Sequence, residues 1–323
     1  MGTILVTGGA GYIGSHVVRQ LGERGEEVVV LDNLSTGFRE AVTYGELMIG
    51  DTADRDVVSM LLERRGIDTV MHFAAHIVVP ESVAHPLKYY GNNTCATRNL
   101  LACCAAAGVK NFIFSSTAAV YGLPAGGRAG EDSPTVPINP YGWSKLMSEQ
   151  MLRDLSAATP LKHVALRYFN VAGADPGGRI GQSTPEATHL IKVACQHAVG
   201  TRDHVSIFGT DYDTPDGTGV RDYIHVEDLA AAHLAALDYL RAGGASTTLN
   251  CGYGRGFSVR EVLDEVARAA GKALDVREAP RRAGDPGMLV AVAERIRRTL
   301  DWTPRHEDLA GIVRTALAWE RRL

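Results

Sequence analysis

Hydrophobic positions alternate between two patterns through the first half of the chain. Short β-branched runs predict strands at Thr3–Val6, Glu27–Leu31, Leu47–Ile49, Thr69–Phe73, Asn111–Phe114 and His163–Tyr168. Apolar residues at helical spacing predict helices over Tyr12–Arg24, Arg55–Arg65, Pro86–Ala107 and Tyr141–Ser156. Three of these helices are followed by a glycine suited to end the last turn, at Gly25, Gly66 and Gly108. The alternation predicts an α/β fold, a doubly wound parallel sheet of the Rossmann type.

The pattern changes after Asn170, where glycine, proline and aspartate become frequent at 172–185 and again at 209–219. We therefore expect a dinucleotide-binding domain over 1–172 and a smaller C-terminal α/β substrate lobe over 173–323. A strand pattern at Asp222–Val226 and a helix pattern at Leu229–Leu240 suggest that 222–252 returns to the first domain. The sequence shows no internal repeat or low-complexity tract.

Composition narrows the function classes. The 323 residues are 45% hydrophobic and carry a formal charge of -4 without a block of like charge, which argues against a nucleic-acid partner. No apolar run approaches membrane-spanning length and no signal segment precedes the first strand, so we expect a cytoplasmic protein. The cysteines lack C-x-x-C spacing and predict reduced thiols with neither disulfide nor metal site: Cys95, Cys103, Cys104, Cys195 and Cys251.

A glycine-rich segment joins the first predicted strand to the first predicted helix. Gly8, Gly11 and Gly14 suit a tight turn, a close approach of a diphosphate to the backbone, and close helix packing. A glycine-rich turn without a ligand would look the same. Asp32 ends the second strand close to the expected ~20 residues downstream, where a carboxylate accepts from ribose hydroxyls and repels a 2′-phosphate. The glycine-rich segment and Asp32 together predict NAD rather than NADP as the cofactor. Asp51 is either a contact to the adenine or an exposed loop carboxylate.

Tyr141 and Lys145 stand four residues apart on a predicted helix and therefore share a face. A tyrosine titrates near 10, so its pKa must fall by about 3, or about 4 kcal/mol, to make a base at pH 7. A nearby ammonium and a positive nicotinamide ring act in that direction. Thr117 ends a strand at the carboxyl edge of the sheet and can hydrogen-bond a substrate oxygen, whereas Ser115 and Ser116 are equally suited to capping a turn.

Taken together, these motifs resemble the extended short-chain dehydrogenase/reductase family and, within it, UDP-glucose 4-epimerases. The resemblance spans nearly the whole chain and rests on TGGAGYIGSH, LDNLSTG, HFAA, FSSTAAVYG, NPYGWSK, LRYFN, GTGVRDYIHVEDLA and RRAGDP. It implies an enzyme with tightly bound NAD that inverts C4 of a UDP-hexose through a 4-keto intermediate, in galactose metabolism. It also implies a homodimer formed through a helical contact.

The resemblance assigns roles to individual residues. Tyr141 is expected to be the base, Lys145 to orient the nicotinamide ribose and lower the pKa of Tyr141, and Thr117 to contact the sugar O4. The expected cofactor contacts are Gly8, Gly11, Tyr12, Ile13, Gly14, Asp32, Asn33, Asp51, Phe73, Ala74, Asn92 and Lys145. The expected substrate contacts are Thr117, Tyr141, Asn170, Arg221, Tyr223, Arg282, Asp285 and Leu289.

Three positions bear on the alternatives. His76–Pro80 lacks the lysine of some epimerases after HFAA, and Val292 replaces a residue that is often polar. Leu289 falls where, by resemblance, tyrosine excludes N-acetylated sugars and small residues admit them, which leaves a UDP-N-acetylglucosamine or dual-specificity epimerase open. A nucleotide-sugar 4,6-dehydratase would need an acid pair where Ala118–Ala119 follow Thr117, and a non-catalytic NAD sensor would need no tyrosine–lysine pair.

Overall fold

A computed structural model describes residues 2–184, 186–282 and 284–323 of the chain. Pro185, at the end of the glycine- and proline-rich 172–185 segment, and Ala283 of the RRAGDP motif lie outside the described residues. The strands, in chain order, are β1 Thr3–Thr7, β2 Val28–Asp32, β3 Glu46–Ile49, β4 Ile67–His72, β5 Asn111–Thr117, β6 Arg128–Ala129, β7 Lys162–Tyr168, β8 Asn170–Ala172, β9 Val205–Phe208, β10 Val220–His225, β11 Thr247–Cys251, β12 Gly256–Ser258, β13 Val276–Ala279 and β14 Met288–Ala291.

The helices connect and cover these strands. In chain order they are α1 Tyr12–Glu23, α2 Arg55–Arg64, α3 Val79–Ala84, α4 Pro86–Tyr89, α5 Ala96–Ala107, α6 Pro140–Ala158, α7 Leu190–Val199, α8 Val226–Arg241, α9 Val259–Ala270, α10 Glu294–Leu300 and α11 Leu309–Glu320. Short 3-10 turns occupy Arg39–Ala41, Ala118–Tyr121 and Ala125–Gly127. Among the described residues, no helix is both long and apolar enough to cross a bilayer.

The larger sheet has seven parallel strands in the order β11-β7-β5-β4-β1-β2-β3. Its central strands are buried on both faces, because α1 and α8 cover one face while α2, α5 and α6 cover the other. The strand order reverses between β1 and β4, and ligands of doubly wound sheets bind beyond the carboxyl ends of the strands at such a point. This confirms the predicted fold class.

The predicted helix Pro86–Ala107 is interrupted by a π-helical stretch at Tyr90–Cys95. Within it, the buried Asn93 side chain accepts from the His76 backbone N–H at 2.8 Å and donates to the Ser144 hydroxyl at 3.0 Å. These polar contacts tie the stretch to α6 and to the segment after β4, and π-turns of this kind are frequent at functional sites. Hydrophobic spacing alone could not reveal it, because the apolar positions fit a regular helix.

A smaller sheet contains β12-β10-β14-β6, with β8 paired to β10. β10 therefore lies in this sheet, so residues 222–225 do not join the larger one. The helix and strand that follow do return: α8 packs against α1, and β11 forms an edge of the seven-stranded sheet. A separate hydrophobic core forms among α7, α9 and α11, in the C-terminal half of the chain. The division into domains at residue 172 stays a prediction.

Candidate active site

The glycine-rich segment leads from β1 into α1. Gly8 has φ +73°, and a Cβ there would lie 2.5 Å from the backbone nitrogen of Ala74. A Cβ on Gly14 would lie 2.2 Å from the Gly8 carbonyl oxygen. A Cβ on Gly11, by contrast, would have only the Gly8 carbonyl oxygen within 4 Å among the described residues, at 3.2 Å. The loop is thus closed toward the protein and open at Gly11, beside the N-terminus of α1, where a diphosphate fits.

Two carboxylates, those of Asp32 and Asp51, lie at the carboxyl ends of β2 and β3. Asp32 is buried and accepts from the backbone N–H groups of Ala10, at 2.9 Å, and Leu34, at 2.8 Å. Asn33 donates to the Asp51 carboxylate at 2.8 Å. The structure brings these three predicted cofactor contacts to one edge of the sheet, and a carboxylate at Asp32 disfavours a 2′-phosphate.

The remaining predicted cofactor residues surround the same loop. Phe73 and Ala74 follow β4 and press against Gly8. The Tyr12 hydroxyl donates to the Gly173 carbonyl oxygen at 2.6 Å, so its side chain joins α1 to the start of the C-terminal half. Ile13 packs on the core, and Asn92 donates to the Asn93 side chain at 3.0 Å.

Tyr141 and Lys145 lie on the first turns of α6. Asn139 caps that helix by accepting from the Gly142 backbone N–H at 2.9 Å. The Lys145 ammonium donates to the Ser115 carbonyl oxygen on β5 at 2.9 Å and lies 5.0 Å from the centre of the Phe114 ring. The structure therefore confines the ammonium between the helix and the sheet, one turn after Tyr141.

Thr117, at the end of β5, completes this group. Its hydroxyl oxygen accepts from the Ala119 backbone N–H at 3.1 Å, and its side chain is near enough to Tyr141 to act on the pKa of that phenol. Tyr141 is 7% exposed and Thr117 is 8% exposed, whereas Lys145 is 3% exposed. Two hydroxyls thus meet at the carboxyl edge of the sheet with a cation behind them.

Burial sets the protonation of this group in the chain alone. Burial raises the pKa of Tyr141 to about 12, although the hydrogen bond from Thr117 acts to lower it. Burial lowers the pKa of Lys145 to about 7, and the negative charge of Glu149 acts to raise it. A phenolate at neutral pH therefore needs further positive charge at the site, which is what an oxidised nicotinamide ring provides.

Three residues of the site were missed by sequence reasoning. Tyr168 pairs in register with Thr117, and its hydroxyl lies 2.5 Å from the Ser115 hydroxyl. Asn93 and Ser144 hold the π-helical stretch against α6. These residues fall within or beside recognisable motifs, but only strand register and helix packing place their side chains.

Four of the predicted substrate residues lie on the smaller sheet. Asn170 and Tyr223 are register partners on β8 and β10, as are Arg221 and Leu289 on β10 and β14. Asn170 follows Tyr168 by two residues, which places β8 directly beyond the carboxyl end of β7. The smaller sheet therefore lies next to the carboxyl end of β7, beside Thr117 and the Tyr141 site.

Two arginines lie at the segment that precedes β14: Arg221 contacts it from β10, and Arg282 belongs to it. Arg221 donates to the Pro286 carbonyl oxygen at 2.6 Å and lies 3.4 Å from the Asp285 carboxylate. The guanidinium of Arg282 lies 3.7 Å from the centre of the Phe208 ring. Arginine forks suit phosphate oxygens, so both guanidiniums are candidates for contact with a diphosphate.

The fold and this arrangement define a nicotinamide-dependent enzyme of the short-chain dehydrogenase/reductase type. Residues 4–252 match the model of the NAD dependent epimerase/dehydratase family. The chain belongs to that family, and the predicted class and cofactor, an epimerase that uses NAD, are confirmed.

Individual relatives match this chain over 98–100% of its length. The UDP-glucose 4-epimerase of Azospirillum brasilense is 58% identical over 99% of this chain and 92% of its own. The NAD complex of the Brucella ovis UDP-glucose 4-epimerase is 44% identical, with a TM-score of 0.95 over 98% of both chains. The UDP-Glc/GlcNAc 4-epimerase of Campylobacter jejuni is 50% identical, with a TM-score of 0.87 over both whole chains. The resemblance to UDP-glucose 4-epimerases is thereby confirmed.

Proposed function

We propose that the chain interconverts UDP-glucose and UDP-galactose by NAD-dependent epimerisation at C4, through a 4-keto intermediate. The observation that carries the proposal is the buried group of Tyr141, Thr117 and Lys145 between the glycine-rich loop and the smaller sheet. Close similarity to UDP-glucose 4-epimerases supports the same reaction.

Each side chain of this group has one task. Tyr141 removes the proton from the sugar O4 and later returns it, and Thr117 holds O4 by a hydrogen bond. Lys145 keeps positive charge near the phenol and donates toward the nicotinamide ribose. NAD, held along the loop at Gly8, Gly11 and Gly14, supplies the acceptor and donor of the C4 hydride.

Inversion at C4 requires that the 4-keto sugar present its opposite face before the hydride returns. We assign the UDP anchor to Asn170, Arg221, Arg282 and Asp285, with Tyr223 and Leu289 lining the adjoining surface. Binding energy concentrated in the UDP contacts leaves the hexose free to turn. The placement of these residues on the smaller sheet or in the segment before β14, apart from Tyr141 on α6, supports this division of labour.

The dehydratase alternative is not favoured, because Ala118 and Ala119 follow Thr117 and bring no acid to the substrate oxygen. The NAD-sensor alternative leaves the Tyr141–Lys145 arrangement without a purpose. An N-acetylated UDP-sugar is the remaining alternative substrate. The similarity to the Campylobacter jejuni UDP-Glc/GlcNAc 4-epimerase is the reason to test whether the substrate range includes it.

The test is the conversion of UDP-galactose by the purified protein with its bound NAD. We expect UDP-glucose to form and no 4-keto-6-deoxy product to accumulate. Absence of any C4 exchange would overturn the proposal and favour the NAD sensor. A competition between UDP-glucose and UDP-N-acetylglucosamine then defines the range.

We further propose a homodimer, a two-lobed organisation divided near residue 172, and a cytoplasmic enzyme of galactose metabolism. Exposed apolar side chains on α3, α4 and α6 support a helical dimer contact: Val83, Leu87, Trp143 and Met147. A second copy of this face would cover them. Sedimentation tests the dimer, and a monomer at micromolar concentration would contradict it.

A further inference from the structure

The helix that carries Tyr141 and Lys145, α6, also carries a buried acidic residue, Glu149. Glu149 follows Lys145 by four residues and Tyr141 by eight, so the three side chains share one face of α6. Glu149 is 1% exposed, and Lys145 is 3% exposed. The chain thus places a buried carboxylate one helical turn beyond its buried ammonium.

Two strands under the site hold this carboxylate. Arg167 on β7 donates to it with both arms of its fork, at 2.9 Å from Nε and 2.6 Å from Nη2. The Ser116 hydroxyl on β5 donates to it at 2.6 Å. Arg167 also donates to the Tyr121 hydroxyl at 3.0 Å. The position of the carboxylate is therefore set by side chains on β5 and β7.

Stability alone gives a weak reason for such a pair. Taking both charges out of water costs several kcal/mol per ion, and apolar replacements for a buried pair are often neutral or stabilising. The pair stands beside the proposed site rather than at a surface. Ser116, one of its partners, is adjacent to Thr117 and to Ser115, whose carbonyl oxygen accepts from Lys145.

We propose that Glu149 is a positioning residue that keeps Lys145 cationic next to Tyr141, with Arg167 and Ser116 holding its carboxylate in place. Glu149 touches neither substrate nor cofactor in this scheme and acts through Lys145. The proposal rests on the proposed function, in which Tyr141 is the base.

The charged and titratable groups around Lys145 support this role. On β4, burial lowers the pKa of His72 to about 3, so this ring is neutral at pH 7. On β7, burial raises the pKa of Tyr168, which therefore stays a phenol. Burial also works against the charge of Lys145, and Glu149 is the acid that opposes that effect. Removing Glu149 therefore reduces the positive charge on Lys145 at neutral pH.

The surroundings of Glu149 itself are cationic or neutral. Arg167 on β7 faces it, and burial lowers the pKa of His163 on the same strand to about 4. Burial raises the pKa of Tyr121, in the turn after β5, to about 12. Among the described residues, Arg167 is thus the cation in direct contact with this carboxylate, and Lys145 lies one helical turn before it on α6.

The test is Glu149→Gln in the NAD-loaded enzyme, compared with wild type across pH. We expect the midpoint of the rising limb of kcat to move up by about one pH unit, the size of effect that a nearby charge has on a pKa. At pH 7 kcat should fall about tenfold. KM for UDP-galactose and the NAD content should not change, because Glu149 contacts neither ligand.

A second variant separates charge from folding. Glu149→Gln leaves Arg167 buried and unpaired, so it also lowers the free energy of unfolding. Glu149→Gln combined with Arg167→Met removes both charges. We expect it to recover most of the lost stability and to keep the displaced kcat profile. A profile that returns to wild type in the double variant would overturn the proposal, because it would assign the effect to the unpaired arginine.

The matched control is Glu320→Gln, which breaks another buried pair, Lys192–Glu320, whose two side chains are each 5% exposed. We expect lower stability with an unchanged pH profile. The same displacement there would overturn the proposal by making the effect a general result of destabilisation.

A readout that needs no turnover distinguishes the two hypotheses. The phenolate absorbance of Tyr141, taken as the difference from Tyr141→Phe, should titrate at higher pH in both Glu149 variants. Wild type without C4 exchange would overturn the proposed function, whereas identical titrations in wild type and the Glu149 variants would overturn the role of Glu149.

Discussion

The ammonium of Lys145 donates to the Ser115 carbonyl oxygen at 2.9 Å, which fixes a helix side chain to the strand that ends in Thr117. This contact determines where the positive charge lies relative to Tyr141, one helical turn earlier. Because the carbonyl accepts one hydrogen of the ammonium, the others remain for the proposed contacts with a cofactor ribose and with the phenol. The proposed proton-transfer group is therefore assembled by helix–sheet packing.

Replacing Tyr141 with Phe should remove the base while keeping the ring. We expect kcat to fall at least about 10³-fold, within the range for loss of a general acid–base group, and NAD to remain bound. The measurement is UDP-galactose conversion together with NAD content. Tyr89→Phe is the control, since the Tyr89 ring lies 6.4 Å from that of Tyr141 while its hydroxyl bonds Val78 and Glu81. Normal activity in Tyr141→Phe would contradict the assignment.

Replacing Arg282 with Ala should weaken substrate binding more than chemistry. A charge-assisted hydrogen bond to phosphate contributes about 1.5–3 kcal/mol, so KM should rise roughly 10- to 100-fold while kcat changes little. Steady-state kinetics measure both. Arg281→Ala is a neighbouring control, because Arg281 is exposed and pairs with Asp211. Equal effects of the two variants would argue against a specific diphosphate contact.

Six of the seven strands of the larger sheet could be predicted from sequence because each has its own local signal, whereas β11 was not predicted as a strand. β1, β2, β4, β5 and β7 are short apolar runs, and Gly25, Gly66 and Gly108 have the positive φ that a helix-ending glycine needs. The π-helical stretch within Pro86–Ala107 has no such local signal, since its contact between Asn93 and Ser144 joins residues 51 positions apart in the chain.

The smaller sheet is harder to predict because its pairing is non-local. The strand pattern at Asp222–Val226 is visible in the sequence, but its partners are Asn170, Gly256 and Met288 and their neighbours, so 222–225 lies in the smaller sheet. Glu149 was also missed. Its alignment with Lys145 is visible in the sequence, but its partner Arg167 becomes apparent only when β7 lies beside β5.

Replacing Leu289 should change the range of substrates. Leu289 is 8% exposed on β14 and is the register partner of Arg221, a proposed diphosphate contact. Leu289→Ala enlarges the adjoining space, so we expect the ratio of kcat/KM for UDP-N-acetylglucosamine to that for UDP-glucose to rise. Leu289→Tyr should lower the same ratio. If both variants kept the wild-type ratio, Leu289 would not face the C2 substituent.

Buried neutral histidines should make the enzyme sensitive to mild acid. Burial lowers the pKa of His163 to about 4, from an ordinary value near 6.5, although Glu149 acts to raise it. Between these values the unfolded chain binds a proton that the folded chain does not, so the stability that this neutral ring contributes is complete above pH 6.5 and is lost as pH falls toward 4. His163→Gln should make the free energy of unfolding less steep in that window, by up to about 1.4 kcal/mol per pH unit.

Denaturant unfolding of the NAD-loaded enzyme at several pH values measures this slope. The control is Ser156→Ala, which removes the hydroxyl 2.7 Å from Nδ1 of His163 and leaves the titrating ring. We expect that variant to lower the free energy of unfolding without flattening its dependence on pH, because the buried ring still excludes the proton. A slope in His163→Gln equal to that of wild type would mean that the folded protein accepts the proton on His163 as readily as the unfolded chain does.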